Sequence, residues 1–315
     1  MKLKIGACLL IFMTLPVISV LIPTYNRLGL LKRALESVLQ QTYENLEVVV
    51  SDNCSTDGTH EYCRNIISGT SRNLIYIKQD LNIGPIENLK RALQASSGVY
   101  ISFVADDDYV ECRYIDILYK YLISGGGVHA ASLAREVTPS GVCLRVEDYA
   151  FLGQKTDIDL LLCAYHMGRS SNLALVHYGL TERRVLSQIF PEPVFDPPGR
   201  RATASGLEVP YIARLLSQGK VVIVPHVLYN YTGPGEREGT QSLASELSSQ
   251  LSTADAFIIF LKQFWRLLWF ALSVDKSRVS TYRLVFVVVS SFVSEFAIRV
   301  LRKGVGFGSS LVGRP

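Results

Sequence analysis

The sequence predicts an α/β fold: an open, mostly parallel sheet flanked by helices, with an amphipathic helical tail at the C-terminus. From Val17 to Val104, apolar strand-like runs alternate with segments of helical periodicity, which is typical of βαβ units. The first run is almost wholly apolar, as expected of a parallel strand buried on both faces. Polar clusters follow three of the runs, and ligands of such sheets bind at the carboxyl ends of the strands.

The predicted elements follow one another along the chain. Four apolar runs are predicted strands: Val17–Ile22, Leu46–Val50, Leu74–Ile77 and Val99–Val104. Apolar residues at helical spacing predict three helices between them: around Leu30–Leu39, around Tyr62–Ile67 and over Ile86–Leu93. Farther along, a helix-like run at Glu208–Leu216 precedes an apolar strand at Val221–Val224.

The three polar clusters are Thr24–Arg27, Asp52–Asn53 and Asp106–Asp108. The last of them places three adjacent carboxylates directly after a predicted buried strand. Two like charges about 4 Å apart repel by roughly 4 kcal/mol at an effective dielectric constant near 20. A divalent cation removes that repulsion, and Mg²⁺ is typically held by one or two carboxylates and the phosphates of a substrate. The alternative is a solvated acidic turn that caps a helix beginning near Val110.

Two further loops have both a binding and a structural interpretation. Asp52 suits a hydrogen bond to a nucleobase or ribose, but an Asx turn in an ordinary loop explains it as well. The segment Asn82–Gly84 brings backbone close to a ligand or forms a plain turn. By contrast, Asp57–Thr59 is typical of a turn and a helix start.

Four segments together resemble family 2 glycosyltransferases. They are Val20–Arg27, Ser51–Thr59, Asn82–Gly84 and Tyr100–Asp108, which occur in the family's order and at similar spacing, within residues 17–125. The resemblance implies the A-type nucleotide-diphospho-sugar transferase fold. It also implies a divalent cation, Mn²⁺ or Mg²⁺, as cofactor and a nucleotide sugar as donor.

The resemblance assigns roles to particular residues. It implies that the nucleotide sugar contacts Pro23, Thr24, Tyr25, Arg27, Asp52, Asn82, Asp106 and Asp107. The metal ligands it implies come from Asp106, Asp107 and Asp108. This chain departs from the family's common Leu-Asp-x-Asp-Asp form because Ala105 stands at the first aspartate position. Asp106 and Asp108 are then the literal Asp-x-Asp pair, and Asp107 aligns with the second aspartate of the common form.

The resemblance also implies a catalytic base before a helix, six residues ahead of an arginine. Glu208 has this spacing from Arg214, and the family-like strand Val227–Tyr231 follows. The family's Glu-Asp pair is incomplete here, because Leu207 and Val209 flank Glu208. A helix N-terminal charge is the alternative role of Glu208, and Asp196 is the second candidate for the base.

The resemblance implies metal-dependent, inverting transfer of a sugar to a saccharide or polyprenyl-linked saccharide in polysaccharide biosynthesis. The Ala-Asp-Asp-Asp-Tyr segment resembles transferases of O-antigen deoxysugars. The alternative is a catalytically silent relative that serves as a membrane-bound binding or scaffold subunit, which the incomplete Glu-Asp pair favours. A nucleotidyltransferase is disfavoured, since no Gly-rich, basic phosphate loop occurs near the start.

Composition sets the wider limits. The chain of 315 residues is 48% hydrophobic and 19% charged, which excludes disorder as its main state. A net charge of +4 gives no indication of nucleic acid as a partner. Six cysteines without a CxxC pair indicate reduced thiols in the cytosol.

Charge is unevenly distributed along the chain. Residues 257–315 contain nine basic and two acidic residues, so that this tail has a net charge of +7 and the rest of the chain −3. Its apolar segments Phe257–Leu272 and Leu284–Leu301 contain charges and are predicted to lie in an anionic membrane interface. The alternative is a pair of helices packed on the catalytic domain. We therefore expect a cytoplasmic protein attached peripherally to the inner face of the plasma membrane.

The predicted organisation has four parts. Residues 1–16 are an apolar extension, and residues 17–232 form the catalytic domain. Within that domain, residues 17–125 bind the nucleotide sugar and residues 126–232 the acceptor. Residues 233–256 form a mobile loop and a polar helix, and residues 257–315 form the tail.

Overall fold

A computed structural model describes residues 15–138, 140–147, 176–189, 215 and 218–232. The predicted segments 233–256 and 257–315 lie outside these residues, as does nearly all of the extension 1–16. Both candidates for the base, Glu208 and Asp196, also lie outside them.

The described elements alternate between strands and helices in the first third of the chain. The strands are β1 (Ile18–Thr24), β2 (Leu46–Asp52), β3 (Asn73–Lys78), β4 (Tyr100–Phe103), β5 (Tyr109–Val110), β6 (His129–Val137), β7 (Cys143–Glu147), β8 (Leu180–Glu182) and β9 (Val221–Thr232). The helices are α1 (Leu28–Leu39), α2 (Thr59–Gly69), α3 (Pro85–Ala95), α4 (Tyr114–Gly125) and α5 (Arg183–Ile189). The predicted strands and helices up to β4 are confirmed, with ends that differ by a few residues.

All the described strands belong to one sheet in the order β3-β2-β1-β4-β8-β6-β9-β5, and β7 pairs with β6. The first four strands in that order are parallel to one another, and β6 is parallel to β9. The remaining pairings, which involve β5, β7 and β8, are antiparallel. The predicted α/β class with a helix-flanked sheet is confirmed, and the sheet becomes mixed beyond β4.

The helix predicted to begin near Val110 begins instead at Tyr114. Tyr109 and Val110 form β5, which pairs with Asn230 and Tyr229 of β9. The side chain of Gln41 accepts a hydrogen bond from the Ile115 backbone N–H at 3.0 Å, at the start of α4. The predicted helix start was wrong because Tyr109 and Val110 pair with β9, which lies more than a hundred residues farther along the chain.

Burial on both faces explains the apolar strand runs. On one face of β1, Ile18, Val20 and Ile22 belong to the same buried cluster as Leu31 and Leu35 of α1. On the other face, Leu21 belongs to a second cluster with residues of α3 and α5. Since successive side chains in a strand point to opposite faces, both sets must be apolar.

No helix in the described ranges combines the length and apolar character needed to cross a membrane.

His129, the first residue of β6, is fully buried where β6 meets β8. Its Nε2 lies 2.7 Å from the Val176 carbonyl oxygen, which makes Nε2 the protonated nitrogen. Its Nδ1 accepts a hydrogen bond from the Thr181 hydroxyl at 2.8 Å. Gly179 leaves room for the ring, because a Cβ there would lie 2.4 Å from Nε2. Burial lowers the pKa of His129 from its ordinary 6.5 to about 4.

This buried histidine predicts a loss of stability in weak acid. Between pH 6.5 and 4 the unfolded chain binds a proton at His129 that the folded chain does not, so stability falls as the pH falls. From pH 7 to 5 this single group lowers the free energy of unfolding by about 2 kcal/mol. Urea unfolding at both pH values is expected to show a pH dependence smaller by this amount in His129→Gln. An equal pH dependence in both proteins would contradict the lowered pKa of His129 in the folded chain.

Candidate functional site

Three loops meet at the carboxyl ends of neighbouring strands. They follow β1, β2 and β4, and β1 lies between the other two strands in the sheet. The last pair of residues in the β1–β2 register is Thr24 and Asp52, so both loops begin at the same level. The Thr24 carbonyl accepts a hydrogen bond from the Asn53 N–H at 2.9 Å, which extends this pairing into the loops. The predicted convergence of the three polar clusters is therefore present.

The loop after β1 is fastened to the loop after β2 through Asn26, whose φ of 51° lies in the left-handed region. Asparagine tolerates this conformation better than most residues. Its N–H donates to Ser55 Oγ at 2.9 Å, and its Oδ1 accepts from the Thr56 N–H at 2.8 Å. These two bonds fix the backbone that carries the neighbouring Tyr25 and Arg27.

Asp57 joins the starts of two helices. One carboxylate oxygen accepts the Leu28 N–H at 2.8 Å, at the first residue of α1, and the other accepts the Thr59 hydroxyl at 2.6 Å, at the first residue of α2. Burial alone raises the pKa of Asp57, but these hydrogen bonds outweigh it and the pKa is lowered. Asp57 is thus a structural residue of the helix start, as its sequence pattern predicts.

Asp52 is fully buried at the end of β2. Its Oδ1 accepts the Ser55 N–H at 2.8 Å, and its Oδ2 accepts the Tyr76 hydroxyl at 2.6 Å. Burial and this hydrogen bond raise the pKa of Tyr76, which remains a neutral donor. The carboxylate therefore has the loop-forming role of the structural alternative. Contact with a nucleoside stays a prediction.

Asn82 also shapes its own loop. Its Oδ1 accepts hydrogen bonds from Asn53 Nδ2 and from the Gly84 N–H, both at 3.0 Å, just before α3. In return, Asn53 Oδ1 accepts the Ile83 N–H at 2.8 Å. The loop after β3 is thereby joined to the loop after β2, and the turn interpretation of Asn82–Gly84 has direct support.

The three aspartates after β4 are buried, with exposed fractions of 6% for Asp106, 5% for Asp107 and 4% for Asp108. This burial excludes the solvated acidic turn. Asp106 Oδ1 lies 3.0 Å and Asp107 Oδ2 3.4 Å from the same nitrogen, Nη1 of Arg27. The first and third clusters are thus in direct contact, as their positions in the sequence predict.

Asp108 has different partners. Its Oδ2 accepts the Tyr229 hydroxyl at 2.8 Å, and its Oδ1 accepts the Thr232 N–H at 2.9 Å. Both donors belong to β9. Asp108 therefore anchors the aspartate loop to the distant strand, while Asp106 and Asp107 face Arg27.

The carboxylates are of the type that binds a hard divalent cation. The pKa of Asp106 is raised to about 6, because burial and the charge of Asp107 raise it by more than the charge of Arg27 lowers it. Within the part of the chain that the structure describes, no group of three or more His, Cys, Asp or Glu residues is placed to hold a metal ion. A pair of carboxylates completed by substrate phosphates is the arrangement that Mg²⁺ commonly uses, and Asp106 and Asp107 fit it.

Arg33 is a site residue with no sequence signal, and Tyr229 and Thr232 had no predicted role. Arg33 Nη2 donates to the Asp107 carbonyl and to Thr232 Oγ1, both at 2.8 Å. Its guanidinium also lies 4.8 Å from the centre of the Tyr109 ring. The family-like strand Val227–Tyr231 was the available signal for β9, but its contact with Asp108 could not be read from the sequence.

Residues 19–141 match the family model Glycosyl transferase family 2. A Campylobacter jejuni protein named GalNAc(5)-diNAcBac-PP-undecaprenol beta-1,3-glucosyltransferase is 35% identical over 94 residues, which is 30% of this chain and 30% of that protein. Abequosyltransferase RfbV from Salmonella typhimurium is 34% identical over 114 residues, or 36% of this chain and 34% of that protein. The alignments thus span about a third of these relatives.

Solved structures extend the likeness to most of the fold. S. aureus TarS 1-349 in complex with UDP has a TM-score of 0.58 at 17% identity, covering 85% of this chain and 69% of that one. Mannosyltransferase PcManGT from Pyrobaculum calidifontis, in complex with GDP-Man and Mn²⁺, has a TM-score of 0.50 at 15% identity, covering 94% and 81%. The predicted A-type fold is confirmed.

Proposed function

We propose that this chain, whose residues 19–141 carry a glycosyltransferase family 2 domain, transfers a sugar from a nucleotide-sugar donor to a saccharide or lipid-linked saccharide in polysaccharide biosynthesis. The observation that carries the proposal is the buried pair Asp106 and Asp107 at the meeting point of the three loops. Two buried carboxylates beside an arginine suit a diphosphate and its cation.

The donor lies along the loops after β1 and β2 in this proposal. Tyr25 leaves 41% of its surface exposed beside Thr24 and is available to contact a nucleoside. Pro23 and Thr24 line the end of β1, and Asp52 adjoins them in register. Asn82 is joined to the loop after β2 by the hydrogen bond that its Oδ1 accepts from Asn53. Arg27 is placed to approach the diphosphate. The complex of TarS with UDP supports a nucleotide in this type of fold.

A divalent cation, Mn²⁺ or Mg²⁺, completes the site in the proposal. Asp106 and Asp107 would hold it, and Asp108 belongs to the same loop. When bound, such a cation supplies positive charge that stabilises the departing nucleoside diphosphate. The Mn²⁺ named for the mannosyltransferase complex supports this cofactor.

The proposed reaction is a single displacement that inverts the anomeric centre. An acceptor hydroxyl oxygen forms a bond to the anomeric carbon, while the bond from that carbon to the diphosphate oxygen breaks. The hydroxyl proton passes to the carboxylate of Glu208, with Asp196 as the second candidate for this base. The leaving group departs as the nucleoside diphosphate.

The acceptor and the location are proposed from different observations. The name of the Campylobacter relative specifies an undecaprenol-linked saccharide, which supports a lipid-linked acceptor. RfbV is named an abequosyltransferase, which supports the O-antigen type of reaction. The +7 tail supports peripheral attachment to the cytoplasmic face of the membrane.

If the tail attaches by charge, the full chain should sediment with anionic vesicles and not with neutral ones. Equal sedimentation with both kinds of vesicle would contradict attachment by charge.

The base assignment predicts the result of a transfer assay on the full chain. Release of nucleoside diphosphate from a panel of nucleotide sugars, with Mn²⁺ and saccharide acceptors, should fall by about 10²- to 10⁴-fold in Glu208→Gln, since proton transfer by a positioned base contributes this much. Glu87→Gln is the matched control, because the Glu87 side chain on α3 is 42% exposed and pairs with Lys90 and Arg91.

Three outcomes decide between the candidates. Unchanged turnover in Glu208→Gln together with loss in Asp196→Asn would assign the base to Asp196. Unchanged turnover in both variants would contradict the proposed mechanism. No turnover by the parent protein with any donor would favour the binding or scaffold subunit, which the residues Leu207 and Val209 beside Glu208 also favour.

A further inference from the structure

We propose that Arg27 is the resident counter-ion of Asp106 and Asp107, and that a divalent cation binds the pair only by displacing it. Metal binding then depends on a nucleoside diphosphate, which gives the displaced guanidinium a new anionic partner. This inference rests on the proposed function, because it concerns the same metal and donor site.

The position of one atom carries the inference. Arg27 Nη1 lies between the carboxylates of two consecutive residues, 3.0 Å from Asp106 Oδ1 and 3.4 Å from Asp107 Oδ2. A cation ligated by both oxygens would have to lie between them, in the space that this nitrogen fills. The guanidinium and the metal ion are both positive, so they would also repel each other there. Occupation by one excludes the other.

The backbone of Arg27 is held in place, whereas its side chain is partly exposed to solvent. The Arg27 carbonyl accepts the Leu30 and Leu31 N–H groups at 3.0 and 2.9 Å, and so begins α1. The preceding Asn26 is bonded to Ser55 and Thr56. The Arg27 side chain is 26% exposed, against 8% for Asp106 and 6% for Asp107. Rotation of this one side chain toward solvent therefore uncovers the pair without refolding the loop.

Displacement links metal binding to nucleotide binding. Without a diphosphate, the cation must break both ion pairs of Arg27, and its affinity is reduced by that cost. With a diphosphate bound, the guanidinium can form charge-assisted hydrogen bonds to phosphate oxygens, for which its planar geometry is well suited. Each ligand then strengthens the binding of the other by the same factor.

The test is Mn²⁺ binding to the full chain without any nucleotide, measured by titration calorimetry. Removing the counter-ion in Arg27→Gln should tighten Mn²⁺ binding on the order of tenfold, within the usual range of coupling between sites. Arg27→Lys keeps the charge and should bind Mn²⁺ as weakly as the parent protein. Arg113→Gln is the control for net charge, because Arg113 is 61% exposed and pairs with Asp116, away from the three aspartates.

Several results would overturn the inference. Mn²⁺ affinity in Arg27→Gln that equals or falls below that of the parent would do so, as would tightening in Arg113→Gln of the same size. A second measurement needs no variant: UDP or GDP at saturation should tighten Mn²⁺ binding to the parent protein, and no tightening by either would also overturn it. Neither experiment requires sugar transfer, so failure of the transfer assay alone would count against the proposed function and not against this exchange.

Discussion

The burial of three consecutive carboxylates at the end of β4 is the constraint on which the rest of the site depends. Each of these buried carboxylates needs a hydrogen-bond donor or a positive charge beside it, since an unpaired buried charge is strongly unfavourable. Arg27 meets this need for Asp106 and Asp107, and β9 meets it for Asp108 through Tyr229 and Thr232. The aspartate loop therefore holds together the start of α1 and the end of β9.

The surrounding loops are held by side chains that bond to backbone. Asn26, Asp57 and Asn82 each accept N–H groups from a loop or from a helix start, and Asp52 accepts one within its own loop. Polar residues that the sequence marks as candidates for ligand contact are thus also the residues that shape the loops. The two roles are compatible, because a fixed loop presents its remaining lone pairs and N–H groups in one arrangement.

Much of the fold of residues 17–125 follows from local sequence. Strands β1 to β4 and the helices between them are visible as apolar runs and helical spacing, and their parallel arrangement brings the polar loops together. The remainder depends on contacts between distant residues. Tyr109 and Val110 become β5 only because β9 lies beside them, and the bond from Tyr229 to Asp108 joins residues 121 positions apart. The register that creates such contacts is set in three dimensions, so periodicity does not reveal it.

Thermal unfolding of the full chain tests the claim that Asp106 and Asp107 bind a nucleoside diphosphate through a divalent cation. A ligand that binds the folded state raises the melting temperature according to its affinity. We expect Mn²⁺ together with UDP or GDP to raise the melting temperature of the parent protein by more than the sum of the increases that each ligand produces alone. This excess should disappear in Asp107→Asn but persist in Asp116→Asn, because Asp116 pairs with Lys120. An excess of the same size in Asp107→Asn, or none in the parent protein, would contradict the claim.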